Sequence, residues 1–228
     1  MKNVPKHIVL FPDGNRRWAV KKGLSMKKGY LKGKDKFIDF LRWCKNEEVK
    51  VVTVFGFSSE NWRRPQDQVN FLMHLFEKYL KEGIDDFNKE GARVKIIGQK
   101  EKLSNSLKSV IENVEKETKN NNLVHLNLAV SYGGKWDIVN AVKNIIKDKI
   151  TPEKINEELF DKYLSTAGLP NPDLVIRAGG ENRLSNFVLW QAAYSELYFS
   201  PKLWPDFTEQ DLGLALKEFD RRQRRFGK

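Results

Sequence analysis

A chain of 228 residues with 40% hydrophobic and 31% charged side chains can bury the core of one domain and stay soluble, so residues 1–228 are expected to form a single domain. The net charge of +11 favours acidic partners, whether nucleic acid, anionic lipid or a phosphorylated small molecule, and a lone cysteine, Cys44, excludes an internal disulfide. No apolar run approaches the ~20 residues of a membrane-spanning helix, the first residues lack a signal-peptide pattern, and a cytoplasmic, reducing location is expected.

In chain order, the strand-like runs are HIVLF (residues 7–11), VKVVTVFGF from position 49, ARVKIIG from 92, LVHLNLAVSY from 123, DLVIRAG from 173 and ELYFS from 196. Several are continuously apolar rather than alternating, the pattern of strands covered on both faces. Between them, DKFIDFLRWCKN and VNFLMHLFEKYLKEGIDDFNKEG have helical spacing, with Phe71, Leu72, Leu75, Phe76, Tyr79 and Leu80 forming a stripe. Thr151 before Pro152, and Thr208 with Asp211 three residues on, mark helix starts. The alternation predicts an α/β domain built on a central, mostly parallel six-stranded sheet flanked by helices. In such sheets ligands bind beyond the carboxyl ends of the strands, so the segments leaving the strands carry the functional reading.

The first, PDGNRRWA, combines Asp13 with Gly14, Asn15, Arg16, Arg17 and Trp18. A helix starting near Asn15 and two guanidinium groups suit phosphate oxygens, whereas Asp13 would repel them unless a cation such as Mg²⁺ lay between. A plain turn followed by a solvated basic helix face accounts for the same residues. In the second, FGFSSENWRRP, residues Ser58, Ser59, Glu60, Asn61 and Arg64 surround Trp62, expected to be exposed, or simply cap the following helix. SYGGKWD, from position 131, is weak by itself and reads first as a plain strand-to-helix turn. RAGGENRLSNF places Arg177, Arg183 and Ser185 around a glycine pair, a donor cluster fit for a diphosphate. Glu196 opens the last strand as an edge charge or a metal ligand. Standard phosphate loops are absent: GYLKGK is one residue short of a P-loop, no G-x-G-x-x-G follows a strand, and His7, His74 and His125 have no zinc-ligand spacing.

Together and in this order, DGNRRWA, FSSENWRRP, YGGKWDI, DLVIRAGGENRLSNFVLWQAAYSELYF and LWPDF resemble the cis-prenyltransferase family of undecaprenyl diphosphate synthase type, over almost the whole chain. The resemblance implies condensation of an allylic prenyl diphosphate with isopentenyl diphosphate, Mg²⁺-dependent, with Z double bonds and an apolar tunnel for the growing chain. It gives Asp13 the Mg²⁺ beside the allylic diphosphate and the Gly14–Arg17 loop the cradle of that group. Asn61 matches a residue that assists proton removal, with Ser58, Ser59, Glu60, Trp62 and Arg64 around the substrates. Arg177, Arg183 and Ser185 match the isopentenyl diphosphate site, and Glu196 the carboxylate that joins Mg²⁺ there across a dimer interface. Arg225 and Gly227 in the C-terminal RRFG resemble a tail that reaches a neighbouring active site, implying a homodimer. The tunnel candidates are Phe71, Leu72, Leu75, Phe76 and Tyr79 with Val52 and Val54; peripheral membrane contact through the lipid product is a further expectation.

Departures from the family pattern cluster near the allylic site. Tyr30 stands where a histidine is usual, Met26 replaces a basic residue, and Arg16 occupies a position that is often glycine. The LFPDG…RRW…GLS…GY pattern resembles the family's lavandulyl-type branch, implying head-to-middle coupling with dimethylallyl diphosphate, alone or as a second activity; the intact Ser-Ser-Glu-Asn-Trp segment favours head-to-tail chemistry. A nucleic-acid-binding protein would interleave basic and aromatic residues on one face, whereas here the arginines gather with glycines and carboxylates at strand ends, so no nucleic-acid partner is expected. A non-catalytic partner subunit would tend to lack the Asp13 type of residue.

Overall fold

The computed structural model describes residues 3–222. The strands are β1 (His7–Phe11), β2 (Val51–Ser58), β3 (Ala92–Ile97), β4 (Val124–Tyr132), β5 (Leu174–Arg177) and β6 (Glu196–Phe199). They form a single sheet in the order β3-β4-β2-β1-β5-β6, and all the pairings are parallel, so the mostly parallel expectation becomes an all-parallel sheet. The continuous apolar runs have the reason foreseen for them. In β1, Ile8 and Leu10 face one core with Phe40, Val52 and Trp204, while Val9 and Phe11 face another with Val175 and Phe187. Each such fully buried side chain contributes about 1.5–3 kcal/mol.

The helices are α1 (Asn15–Lys21), α2 (Met26–Asn46), α3 (Gln66–Glu82), α4 (Ile84–Lys89), α5 (Asn105–Glu117), α6 (Gly134–Lys147), α7 (Glu157–Asp161) and α8 (Glu209–Arg221). Two differ from the sequence expectation. The helical run through residues 69–91 divides at Gly83 into α3 and α4. The Thr151–Pro152 signal yields a single 3-10 turn, and α7 starts later, where the Asn156 side chain accepts the Leu159 N–H. The Thr208–Asp211 capping box at the start of α8 forms with both of its bonds.

At the amino end of the sheet, His7 is buried and neutral. Its Nδ1 donates to the Pro170 carbonyl at 2.7 Å, and its Nε2 accepts from Thr53 Oγ1 at 2.8 Å, which in turn accepts from Asn127 Nδ2 at 3.0 Å. Burial lowers its pKa to about 4, against the smaller opposing effects of Pro170 and Asp173. The opposite, carboxyl end of the sheet carries the segments singled out in the sequence, except Glu196, which opens β6 at the amino end. Among the described residues no helix is long and apolar enough to cross a membrane.

Candidate active site

A cavity of about 1150 Å³ opens at the carboxyl ends of β1, β2 and β5. It is larger than the usual range for small-molecule sites, about 300–1,000 Å³. Thirteen of the residues expected at the site line it: Asp13, Gly14, Asn15, Arg16, Arg17, Tyr30, Ser58, Glu60, Asn61, Arg64, Arg177, Arg183 and Ser185.

Arg177, the last residue of β5, organises the polar end. Its side chain is 5% exposed, and Nε and Nη2 donate to Asp13 Oδ2 at 3.0 and 2.7 Å. Nη1 donates to Ser185 Oγ at 2.9 Å and to the Arg183 carbonyl, and the guanidinium lies 4.8 Å from the centre of the Phe11 ring. The parallel register that pairs Phe11 with Arg177 puts the arginine beside the segment leaving β1. With most of its five N–H groups engaged inside the protein, Arg177 is first a brace for Asp13 and for the 183–185 loop. The Ser185 hydroxyl, having accepted from Arg177, keeps its proton for an outside acceptor.

Around this brace the cations are less tied. Glu181, a lining residue that the sequence reading passed over although it lay inside the quoted RAGGENRLSNF segment, holds Arg17 Nη1 at 3.3 Å and Arg183 Nη1 at 2.6 Å. An incoming anion competes with that one carboxylate for two half-exposed arginines. Arg16 adds a third exposed cation on the wall. Close approach depends on two glycines with positive φ. Gly14 (φ 104°) caps the start of α1, where a Cβ would lie 2.7 Å from Leu203, and at Gly179 (φ 96°) one would lie 2.9 Å from Arg17 and 3.0 Å from Asp13.

The second wall comes from the 3-10 turn Ser59–Arg63 after β2. Its capping box engages both groups of Asn61 that matter: Asn61 N–H donates to Ser58 Oγ at 3.2 Å, and its side-chain oxygen accepts the Ser58 N–H at 3.1 Å. Because a backbone N–H needs an acceptor, this bond orients the amide and leaves its NH₂ for the cavity. Asn61 therefore offers a donor there. Arg64 Nη1 donates to Tyr30 Oη at 3.2 Å, and the Tyr30 ring packs 6.2 Å from Phe71. The residue in the usual histidine position is thus bound to an arginine of the opposite wall.

Several expected residues lie behind the lining. Trp18 Nε1 donates to Asp206 at 2.7 Å, tying α1 to the LWPDF turn. That turn also supports the aspartate loop, through Trp204 N–H to the Asp13 carbonyl at 2.8 Å. Ser59 Oγ donates to Glu60 at 3.1 Å. Trp62 is half-buried rather than exposed: it packs on Phe57 and its Nε1 donates to Ser131 Oγ at 2.8 Å. Met26 opens α2 and is not a lining residue. Glu196 lies outside the cavity, ion-paired with Arg222 at 2.7 Å. It is in register with Leu174, three residues before Arg177, so it sits roughly 10 Å down the sheet from the Arg177 level. Arg225 and Gly227 fall outside the described residues.

The interior of the cavity is apolar, formed by Phe37 from α2, Leu72, Leu75, Phe76 and Tyr79 from α3, and Val54, Phe55 and Leu128 from the sheet. Of the tunnel candidates, Val52 belongs to the core and Phe71 packs behind Tyr30. The Tyr79 hydroxyl is buried with no hydrogen-bond partner among the described residues, and burial raises its pKa well above the usual phenol value.

Among the described residues no group of three His, Cys, Asp or Glu side chains could hold a metal unaided. One carboxylate beside arginines and hydroxyl groups suits Mg²⁺, which is bound through one or two carboxylates together with substrate phosphates and water. Asp13 fits that role, since Arg177 occupies only Oδ2 of its half-exposed carboxylate.

A cluster of phosphate-type donors continuous with a hydrocarbon-lined chamber is the arrangement a prenyltransferase needs, and comparison with known proteins shows that class. Residues 11–227 match the family model described as "Putative undecaprenyl diphosphate synthase", and the chain belongs to this family. A ditrans,polycis-undecaprenyl-diphosphate synthase ((2E,6E)-farnesyl-diphosphate specific) from Legionella pneumophila (strain Paris) is 46% identical over 98% of this chain and 96% of its own length. The solved structure of lavandulyl diphosphate synthase from Lavandula x intermedia, in complex with dimethylallyl diphosphate, superposes with a TM-score of 0.93 at 35% identity, covering 99% of each chain. A structure of a probable undecaprenyl diphosphate synthase from Campylobacter jejuni gives 0.82 at 35% identity over 100% of both.

Proposed function

We propose that this prenyltransferase condenses an allylic prenyl diphosphate with isopentenyl diphosphate, head to tail and with a Z double bond, and that Mg²⁺ is required. The observation that carries this reading is the direct junction of the Arg16–Arg17–Arg183 donor cluster with the Phe37–Leu72–Phe76 interior in one cavity. The lipid tail enters the apolar part while its diphosphate stays at the rim. The C–O bond of the allylic diphosphate breaks, a C–C bond forms to the terminal alkene carbon of isopentenyl diphosphate, and a proton leaves the adjacent methylene. The products are free diphosphate and a chain longer by one isoprene unit.

Mg²⁺ held by Asp13 would supply charge neutralisation to the leaving diphosphate. Arg16 and Arg17 hold the same group, and stabilising it as negative charge accumulates is the main electrostatic contribution. Arg183 and Ser185, braced by Arg177, bind the second diphosphate and orient the alkene toward the ionising carbon. Asn61 turns its amide N–H toward the cavity and a neutral carboxamide is too weak a base to take the proton, so it orients a diphosphate oxygen that does.

The assay is incubation with Mg²⁺, isopentenyl diphosphate and dimethylallyl or farnesyl diphosphate, with product masses read by mass spectrometry. Products spaced by one isoprene unit and lost on chelation are expected; no coupled product from any pair would sink the reading. Coupling of dimethylallyl diphosphate with itself, without isopentenyl diphosphate, would favour the lavandulyl-type reaction, the reading supported by Tyr30 and by the likeness to lavandulyl diphosphate synthase.

A homodimer accompanies this reading, with Glu196 serving a second copy's metal site. Its support is the exposed apolar stripe Val139, Val142 and Ile146 on α6. Light scattering should give twice 26.6 kDa. Peripheral contact with an anionic bilayer has support in residues 16–36, where Asp35 is the one acid among nine lysines and arginines. Val20 and Leu31 stand 71% and 43% exposed among them. Sedimentation with phosphatidylglycerol vesicles, and not with phosphatidylcholine vesicles, is expected, and Val20→Ser with Leu31→Ser should release the protein; equal sedimentation of the variant would exclude this face.

A further inference from the structure

Asn186 is assigned no role by the sequence reading, yet it joins the two walls of the cavity. Its side-chain Nδ2 donates to Glu60 Oε1 at 2.7 Å, across 126 positions of sequence. It is also fastened to the start of α6 at two points. The Lys135 N–H donates to Asn186 Oδ1 at 2.9 Å, and the Gly134 N–H donates to the Asn186 carbonyl at 2.6 Å. Ser185, Asn186 and Val188 have φ values of 47°, 61° and 39°, and the bonds of Asn186 hold this left-handed backbone on one side of Phe187.

The joined elements carry different halves of the site. Glu60 precedes Asn61 and Arg64 on the turn after β2, while Asn186 follows Arg183 and Ser185 on the loop after β5. Both Glu60 and Asn186 line the cavity between these groups. Burial alone would raise the Glu60 pKa, but the hydrogen bonds from Asn186, its own backbone, Ser58 and Ser59 outweigh burial and lower it, keeping the carboxylate charged as acceptor.

We propose that Asn186 is a positioning residue. Through Glu60 it fixes the distance between the wall that bears Asn61 and Arg64 and the loop that bears Arg183 and Ser185, and so sets how the two substrates face each other. This rests on the condensation reading above. A pair of substrates held within reaction distance is sensitive to small displacements, which makes such a brace kinetically visible.

The hydrogen bond can be broken and rebuilt with reversed chemistry. Asn186→Asp keeps the acceptor for Lys135 N–H but faces the Glu60 carboxylate with another, and kcat/KM should fall about 10–100-fold. Glu60→Gln alone still accepts from Asn186 and should cost only a few-fold. In the double variant Glu60→Gln/Asn186→Asp, the glutamine amide donates to the aspartate, and kcat/KM should return to within about threefold of Glu60→Gln. Glu60→Ala breaks the bond while leaving every Asn186 bond to α6 intact, so it tests the same contact if Asn186→Asp fails to fold. The expected signature is a raised KM for isopentenyl diphosphate and a lowered kcat, with the KM for the allylic substrate little changed. A double variant no better than Asn186→Asp, or wild-type kinetics in Glu60→Ala, would overturn the proposal. Wild-type protein that forms no coupled product would instead overturn the condensation reading, so the two failures are distinct.

Discussion

Asp13→Asn should reduce kcat/KM by about 10²–10³-fold while lowering stability by only about 1 kcal/mol. The reason lies in what the substitution keeps. An asparagine oxygen still accepts from Arg177 Nε and Nη2, now at 3.0 and 2.7 Å from Asp13 Oδ2, so the brace survives. The negative charge that would hold Mg²⁺ against the allylic diphosphate does not. Asp13→Ala goes further and leaves two donors of a guanidinium that is 5% exposed without their acceptor. Removing one partner of a buried ion pair costs roughly 3–5 kcal/mol, but the Asp13 side chain is 36% exposed, and about 2 kcal/mol is the expected loss. Kinetics with varied Mg²⁺ and urea unfolding of both variants give the two numbers separately. A large stability loss in Asp13→Asn, or near-normal turnover, would show that the carboxylate is structural.

Arg177→Met should be the most damaging single change, costing about 3 kcal/mol of stability and more than about 10²-fold in kcat/KM. The arginine ends β5, stacks over Phe11, and binds Asp13, Ser185 and the Arg183 carbonyl, so its loss loosens both of the sites proposed for the diphosphates at once. Arg177→Lys is the informative companion. A lysine restores the charge opposite Asp13 but cannot serve three acceptors from one planar fork, so about half of the stability and little of the activity should return. If Arg177→Lys turned over like wild type, charge alone would be the requirement and the bracing geometry would be dispensable.

Much of this site was legible in the chain because it is built from short segments whose chemistry is local. The PDGNRRWA stretch juxtaposes a carboxylate, a glycine and two arginines, and α1 starts at Asn15 as that pattern implies. RAGGENRLSNF likewise brings Arg183 and Ser185 into the loop that follows Arg177, the last residue of β5, whose hydrogen bonds hold the other two. The strands were legible because an all-parallel sheet buries both faces, leaving uninterrupted runs such as HIVLF. Helix limits were less so. The apolar spacing from residue 69 onward continues past Gly83, although Gly83 caps the end of α3 and the start of α4, which packs against β3.

What one-dimensional pattern left open were contacts across long sequence separations. Tyr30 could be recognised as an unusual residue, but that Arg64 donates to it depends on how α2 and α3 close over the sheet. Trp62 looks like a surface indole in FSSENWRRP, yet its nitrogen meets Ser131, and Phe57 packs against it in a T-shaped contact. The stripe on α3 suggested a tunnel without dividing lining from core, which is settled by which side chains face Phe37 and Leu128 across the cavity. Residue type and spacing indicated the fold class and singled out the strand ends, and the resemblance carried by those segments together implied a ligand with a diphosphate and a hydrocarbon half. Tertiary structure decided that Arg177 braces Asp13, that Glu181 shares two arginines, and that Asn186 reaches Glu60. Those outcomes follow from the strand order that sets β1 between β2 and β5, because hydrogen bonds between separate segments exist only once the sheet has fixed their distance.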